Sequence, residues 1–305
     1  MAGLVVLEKM VMLVLLMLVG FLAAKGKWVD ESFGQKASFL VANVFIVATI
    51  LASVVGMEPL FSGRELVVSV VAVFILFAIG GVLGWICAKL LPLSPGDRTA
   101  AWLSVFFMNN VFIGFPVVEA LFGQNAVFCA ALTGLPFNLL LFSMGVSRLR
   151  AGQGRGRVRL REVFSPALIA TLVSIVFFLG QIPFPQLVAD TVQTLGGATV
   201  PLSMVIIGIS LSQVPIREAI TDWRAYVVSL VRLILCPLVV WGVLRLFVSG
   251  TVLGVLTVIA ACPSGAMITI LSLRYGVDET FATRVNFVST VLCAGTLPLV
   301  THILL

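Results

Sequence analysis

Two short stretches carry the residue types from which a binding site could be built. The first, NNVFIGFPVVEALFG at 109–123, sets adjacent amides, Asn109 and Asn110, ahead of Gly114 and Pro116, with Glu119 just beyond the proline. The second, CPSGA at 262–266, puts Pro263, Ser264 and Gly265 in a row. Both lie inside long apolar runs. Proline lacks an N–H and clashes with the preceding turn, so it kinks or breaks a helix. In hydrocarbon the freed backbone groups are costly unless something satisfies them, so irregular backbone is tolerated there only against protein or a wet cavity. These stretches therefore predict two unwound segments, at Gly114-Phe115-Pro116 and at 262–266, with Asn109, Asn110, Ser264 and Thr269 as hydrogen-bond partners. Half-helices starting there would aim bare N–H groups and a positive dipole end into the cavity. Two such ends near the midplane attract an anion. Two ordinary proline kinks are the plainer alternative, disfavoured because the breaks are paired and each has polar neighbours.

Other polar side chains fall inside apolar runs: Asn43, Thr133, Asn138, Ser203, Asn286, Ser289 and Thr290. Each alone is more commonly a helix–helix hydrogen bond than a ligand contact. Asn43, Asn138, Ser203 and Asn286 join the candidate substrate-binding set, and Asn43 and Ser203 carry more weight because they occupy corresponding spans of the two halves described below. Arg284 and Arg232 are cations within apolar runs, where a central charge costs about 2.5–3.5 kcal/mol on insertion scales. For each, pairing with a carbonyl or headgroup competes with drawing an organic anion into an inward-facing vestibule. Glu119 is the candidate coupling carboxylate, with H+ or Na+ left open as the ion. Its alternative role is to favour the start of its own half-helix through the dipole.

Catalysis and metal binding have little to stand on. The single histidine, His302, is near the C-terminus, and the five cysteines, Cys87, Cys129, Cys236, Cys262 and Cys293, lack metal-ligand spacing. No cofactor is implied. Serines such as Ser210 have no histidine or lysine within the membrane to activate them, which disfavours an intramembrane hydrolase. A channel or a ligand sensor on a transporter scaffold is the stronger competitor to a carrier.

The elements that must position these residues follow from composition. Of 305 residues, 60% are apolar and only 10% charged, against about 25% charged in soluble domains. Such a chain needs lipid around it. A spanning helix takes about 20 mostly apolar residues. Ten stretches qualify: 5–24, 37–56, 66–90, 99–122, 125–148, 165–181, 190–212, 225–248, 252–273 and 280–304. The first resembles a signal peptide, but Glu8 beside Lys9 and the following spans favour a retained helix. The segment 150–163 is rich in arginine and glycine and predicts a flexible cytoplasmic linker. Topology explains its charge better than nucleic-acid binding does. Alternation from it puts Lys25, Lys27, Lys36, Lys89, Arg98, Arg217, Arg224 and Arg274 on the cytoplasmic side, and Lys9, Arg64, Arg245 and both termini outside. Five spans precede the linker and five follow. An odd number inverts the second half, 164–305, relative to the first, 1–149. The expected fold is an all-α membrane protein of ten transmembrane helices in two inverted five-helix repeats, with spans 4 and 9 broken.

Three stretches, NNVFIGFPVVEALFG at 109–123, VPLSMVIIGISLS at 200–212 and PSGAMITILSLRYGVDETFATRVNFVSTVLCAGTLPLV at 263–300, resemble the auxin efflux carrier family, whose bacterial members include proposed malate and malonate permeases. The resemblance implies a scaffold and a transport domain, crossing broken helices in spans 4 and 9, and carriage of small organic anions by an elevator-like motion. It matches Pro116 and Pro263 to the crossover prolines, and Asn110 and Gly114 to the residues before the first crossover. It implies an integral protein of a bacterial cytoplasmic membrane, with membrane lipid and a small mono- or dicarboxylate as partners and, by analogy, a homodimer. One departure is that family members often have a proline shortly after the span-2 asparagine, where this chain has Asn43-Val44-Phe45-Ile46-Val47.

Overall fold

The computed structural model describes residues 2–56, 63–150, 164–213, 221–274 and 280–304. Most of the linker and the Tyr275–Asp278 turn lie outside the described residues, as does Arg217. The elements are α1 (Ala2–Lys25), α2 (31–52), α3 (Gly63–Leu90), α4 (Pro95–Phe106), α5 (Asn110–Phe122), α6 (126–150), α7 (Pro166–Gly180), α8 (Gln186–Gln213), α9 (Trp223–Leu244), α10 (Gly250–Ala260), α11 (Met267–Arg274) and α12 (Thr280–Leu304). Among the described residues there is no strand. Six helices, within α2, α3, α6, α8, α9 and α12, are long and apolar enough to cross a membrane, and four shorter apolar helices lie within α1, α5, α7 and α10.

Local chemistry sets several boundaries. Ser94 caps α4, its Oγ accepting from Asp97 N at 3.2 Å, with Pro95 in the first turn. Ser165 and Pro166 repeat that arrangement at α7. Both place proline, which has no N–H, in the first turn, where an N–H would find no intrahelical partner. Basic side chains near helix ends lie over aromatic rings: Lys25 over Phe21, Lys89 over Trp85 and Arg245 over Trp241. Each ring is one turn inward, so the stem lies along apolar surface while the charge reaches outward.

The helices pack as two groups. In the first, α1 crosses α8 with the backbones nearly touching: a Cβ on Gly20 would collide with the Val205 carbonyl, and one on Gly208 with the Met17 carbonyl. Only glycine permits this reciprocal approach. Thr49 of α2 meets Thr199 of α8 at 2.6 Å, and Ser174 of α7 donates to Ile50 O at 3.2 Å. The second group holds α3 to α6 and α9 to α12. Phe77, Phe106, Phe107 and Phe137 form its aromatic centre, and Trp102 Nε1 donates to Gly81 O at 3.0 Å.

Each stretch singled out in the sequence has an interruption in it or at its edge, but the first is not where the proline suggested. Gly114-Phe115-Pro116 is helical, and the chain instead leaves the helix at 107–109, between α4 and α5. Pro116 follows a π turn, Asn110–Gly114, in which Phe115 N donates to Asn110 O. The wide turn shifts the hydrogen-bond register where the proline has no N–H to offer, so the ring is accommodated without a break. Pro237 follows the π turn Val231–Leu235 in the same way. The second interruption is where the sequence places it, at 261–266 between α10 and α11.

Candidate functional site

The two interruptions lie against each other and run antiparallel. Met108 and Ser264 form an isolated bridge. Asn109 N donates to Pro263 O at 2.8 Å, and Gly265 N donates to Phe107 O at 3.0 Å. Backbone groups that two broken helices leave without partners thus satisfy one another. The approach is close: a Cβ on Gly265 would stand 3.2 Å from Met108 O and 3.4 Å from Phe107 O, tight enough that the facing backbone would have to give by a few tenths of an ångström. A Cβ on Gly114, one turn after Asn110, would be 2.6 Å from Ile259 Cδ1, the mobile end of a side chain that would have to shift.

From this crossing two helices depart. Asn109 caps α5, its Oδ1 accepting from Phe112 N at 3.2 Å. Asn110 is buried and donates from Nδ2 to Thr133 Oγ1 at 3.0 Å, tying α5 to α6. Ser289 of α12 accepts from Ser264 N at 3.2 Å, while Ser264 Oγ, 1% exposed, has no partner. Beyond the buried Gly265, Ala266 is half-buried and Met267, at the start of α11, is exposed. The first amides of a helix have no intrahelical acceptor and carry its positive end. The Ser264, Gly265, Asn109 and Phe112 amides are paired, so the remaining first-turn amides and the Ser264 hydroxyl are the groups that would suit an oxyanion.

The opposite ends of the broken helices are treated differently. Arg232 of α9, 1% exposed, donates from Nε to Cys262 O at 2.9 Å, from Nη1 to Val105 O at 3.1 Å and from Nη2 to Ile259 O at 3.3 Å. Its charge thus faces the negative C-terminal ends of both α4 and α10. Of the two roles weighed for Arg232, the geometry carries pairing with carbonyls and not attraction of an anion into a vestibule. The guanidinium is enclosed and each of its three nitrogens donates to a carbonyl, because those carbonyls need satisfying wherever a helix ends in the interior.

Arg284 stands apart from the crossing, at the first turn of α12, 3.6 Å from Asp222 Oδ2. Asp222, which the sequence analysis did not single out, caps α9 and binds Arg224 through both carboxylate oxygens, Nε to Oδ1 at 2.8 Å and Nη2 to Oδ2 at 2.7 Å. Arg224 Nη1 reaches Pro92 O at 3.2 Å, joining the approach to α4 with α9 and α12. The Arg224 guanidinium, by hydrogen bonding, holds the Asp222 carboxyl below the usual carboxylate range.

The other expected site residues are dispersed. Asn43 donates to Phe39 O of its own helix at 2.7 Å, and Asn138 to Gly134 O at 2.9 Å. Ser203 Oγ is buried in α8 without a partner. The Asn286 backbone carbonyl accepts from Ser289 and Thr290, and its side-chain Oδ1 is buried without a partner. Glu119 lies on α5 beyond Pro116, with Oε2 buried and unpartnered. Between the helix groups, near the crossing, is an apolar cleft lined by Met17 and Met204 on one side and by Ile113, Val117, Thr290 and Leu297 on the other.

A family model described as a membrane transport protein matches residues 5–149 and 155–301. An uncharacterised transporter of Methanothermobacter thermautotrophicus is 27% identical over 296 residues, covering 96% of each chain. Another, from Methanocaldococcus jannaschii, is 24% identical over 294 residues, covering 93% of this chain and 94% of its own.

Proposed function

Since the chain belongs to the auxin efflux carrier family of membrane transport proteins, we propose that it is a secondary carrier of small organic anions, with a mono- or dicarboxylate such as malonate held at the crossing of 107–109 with 261–266. The observation that carries this reading is the unequal treatment of charge there. The negative helix ends are neutralised by Arg232. The positive ends have only neutral groups, Asn109 Oδ1 and Ser289 Oγ, beside them. An anion supplies the missing charge, and the half-exposed start of α11 gives it access.

The six long helices and four short ones support ten spans, arranged as inverted halves 1–149 and 164–305 joined by the linker 150–163. Alternating access then comes from one helix group moving against the other. The apolar lining between them favours such sliding, since few polar pairs must break. Arg284 and Asp222 hold the inner end of the moving group together, and Glu119 is the titrating group if uptake is proton-coupled. The chain resides in a bacterial cytoplasmic membrane with both termini outside, as a homodimer.

Counterflow of radiolabelled malonate in proteoliposomes tests the reading. Saturable uptake accelerated by malonate on the far side is expected. Flux that never saturates would make the protein a channel. Malonate binding with no flux would make it a sensor.

A further inference from the structure

Arg232 is the largest fully buried side chain among the described residues. Its three nitrogens reach three carbonyls on two separate helices: Val105 at the end of α4, and Ile259 and Cys262 at and just past the end of α10. Among the described residues no carboxylate pairs with it. A buried cation without an anion is retained only where a fixed set of dipoles replaces its hydration. Helix C-termini supply such dipoles, and here two of them converge on one guanidinium. The planar fork spans both helices at once, which the point charge of lysine cannot do.

We propose that Arg232 is the positioning residue of the crossing, a clamp that fixes the two interruptions in register so that both helix starts face one anion together. Met108 and Ser264 are paired by only two flanking backbone hydrogen bonds. Without the clamp the interruptions separate and the interior around Cys262 opens. Cys262 is the natural reporter: its thiol is fully buried, its carbonyl accepts from Arg232 Nε, and its Sγ donates to Val258 O. Cys129 of α6 is also buried, none of the three Arg232 hydrogen bonds reaches it, and it serves as the internal control.

The test compares wild type with Arg232→Lys and Arg232→Met, purified in detergent and pulsed with N-ethylmaleimide, with labelling mapped by mass spectrometry. The expected result is at least about tenfold faster labelling of Cys262 in both variants, with Cys129 still protected. Unchanged protection of Cys262 would overturn the proposal. So would joint exposure of Cys262 and Cys129, because Arg232 would then support the whole fold and not the crossing. This arm needs no substrate and stands even if malonate is not carried. A second arm rests on the carrier reading. In proteoliposomes, Arg232→Lys should raise half-saturation for malonate by about tenfold at a nearly unchanged maximal rate. An unchanged half-saturation with a lower maximal rate would mean only fewer folded carriers and would contradict positioning. Malonate that wild type fails to carry, with Cys262 opening as expected, would sink the carrier reading and leave the clamp intact.

Discussion

The two interruptions solve one problem by different means. The first spans only 107–109, and its chain supplies much of what it needs: Asn109 caps the new helix, and a π turn absorbs Pro116. The second spans 261–266 and borrows its partners: Ser289 for the Ser264 amide, Phe107 for the Gly265 amide and Arg232 for the Cys262 carbonyl. The first break also draws on Arg232 at Val105 O and on Pro263 O, but the helix that follows it is capped by its own Asn109. A break held by remote side chains is sensitive to each of them and leaves a hydroxyl, Ser264 Oγ, over for a ligand.

The largest expected effect comes from forcing the two apart. Gly265→Val adds a branched side chain where even one carbon would crowd Met108 O and Phe107 O. Malonate uptake should fall at least about 100-fold with the protein still in the membrane, as misplacement of about an ångström can cost. Near-normal uptake would mean the close approach is incidental. Next is the side-chain hydrogen bond that ties the start of α5 to α6. Asn110→Ala removes the hydrogen bond to Thr133 Oγ1 and should lower uptake by about tenfold.

The prolines sharpen the contrast. Pro263 lies within an interruption and its carbonyl accepts from Asn109 N, whereas Pro116 lies in a helix. Pro263→Ala should reduce uptake by about tenfold and Pro116→Ala by less than about twofold, the difference between a fixed unwound conformation and a tolerated helical one. Equal losses would return the first break to 114–116.

The smallest effect belongs to the Asp222 cluster, away from the crossing. Asp222→Asn should lower stability at neutral pH by roughly 1 kcal/mol, a Tm drop of roughly 2–4 °C. Because Arg224 holds the Asp222 carboxyl below its ordinary range, this stability is present above the unfolded-state value and is lost as pH falls through the folded-state value. The gap between wild type and variant should therefore close in acid. A gap that stays constant with pH would assign the loss to packing.

Hydropathy made the helices legible, since lipid imposes a length and an apolarity that few soluble elements share. The second interruption was legible too, because proline, serine and glycine in succession leave a helix little to build on. The first was misplaced by about two turns. Proline marks where a helix is difficult, but a π turn can remove the difficulty, and nothing in VFIGFP announces one. The stop at Phe107 owes more to its packing and pairing than to its own composition, and pairing across more than a hundred residues cannot be seen locally. Arg232 was visible as a cation in an apolar run with a carbonyl as one expected partner, but which carbonyls it meets was not legible, since every residue has one. Asp222 was hidden by its ordinary place at a helix start.

The most direct measurement uses 13C-carboxylate malonate and protein labelled with 15N, in lipid, with solid-state NMR dipolar recoupling between them. The carboxylate carbon should lie within about 4 Å of the backbone nitrogens of residues 266–267 and of residues 110–111 together, as hydrogen bonding to both helix starts requires. Malonate carried by the protein but recoupled to neither segment would contradict the account.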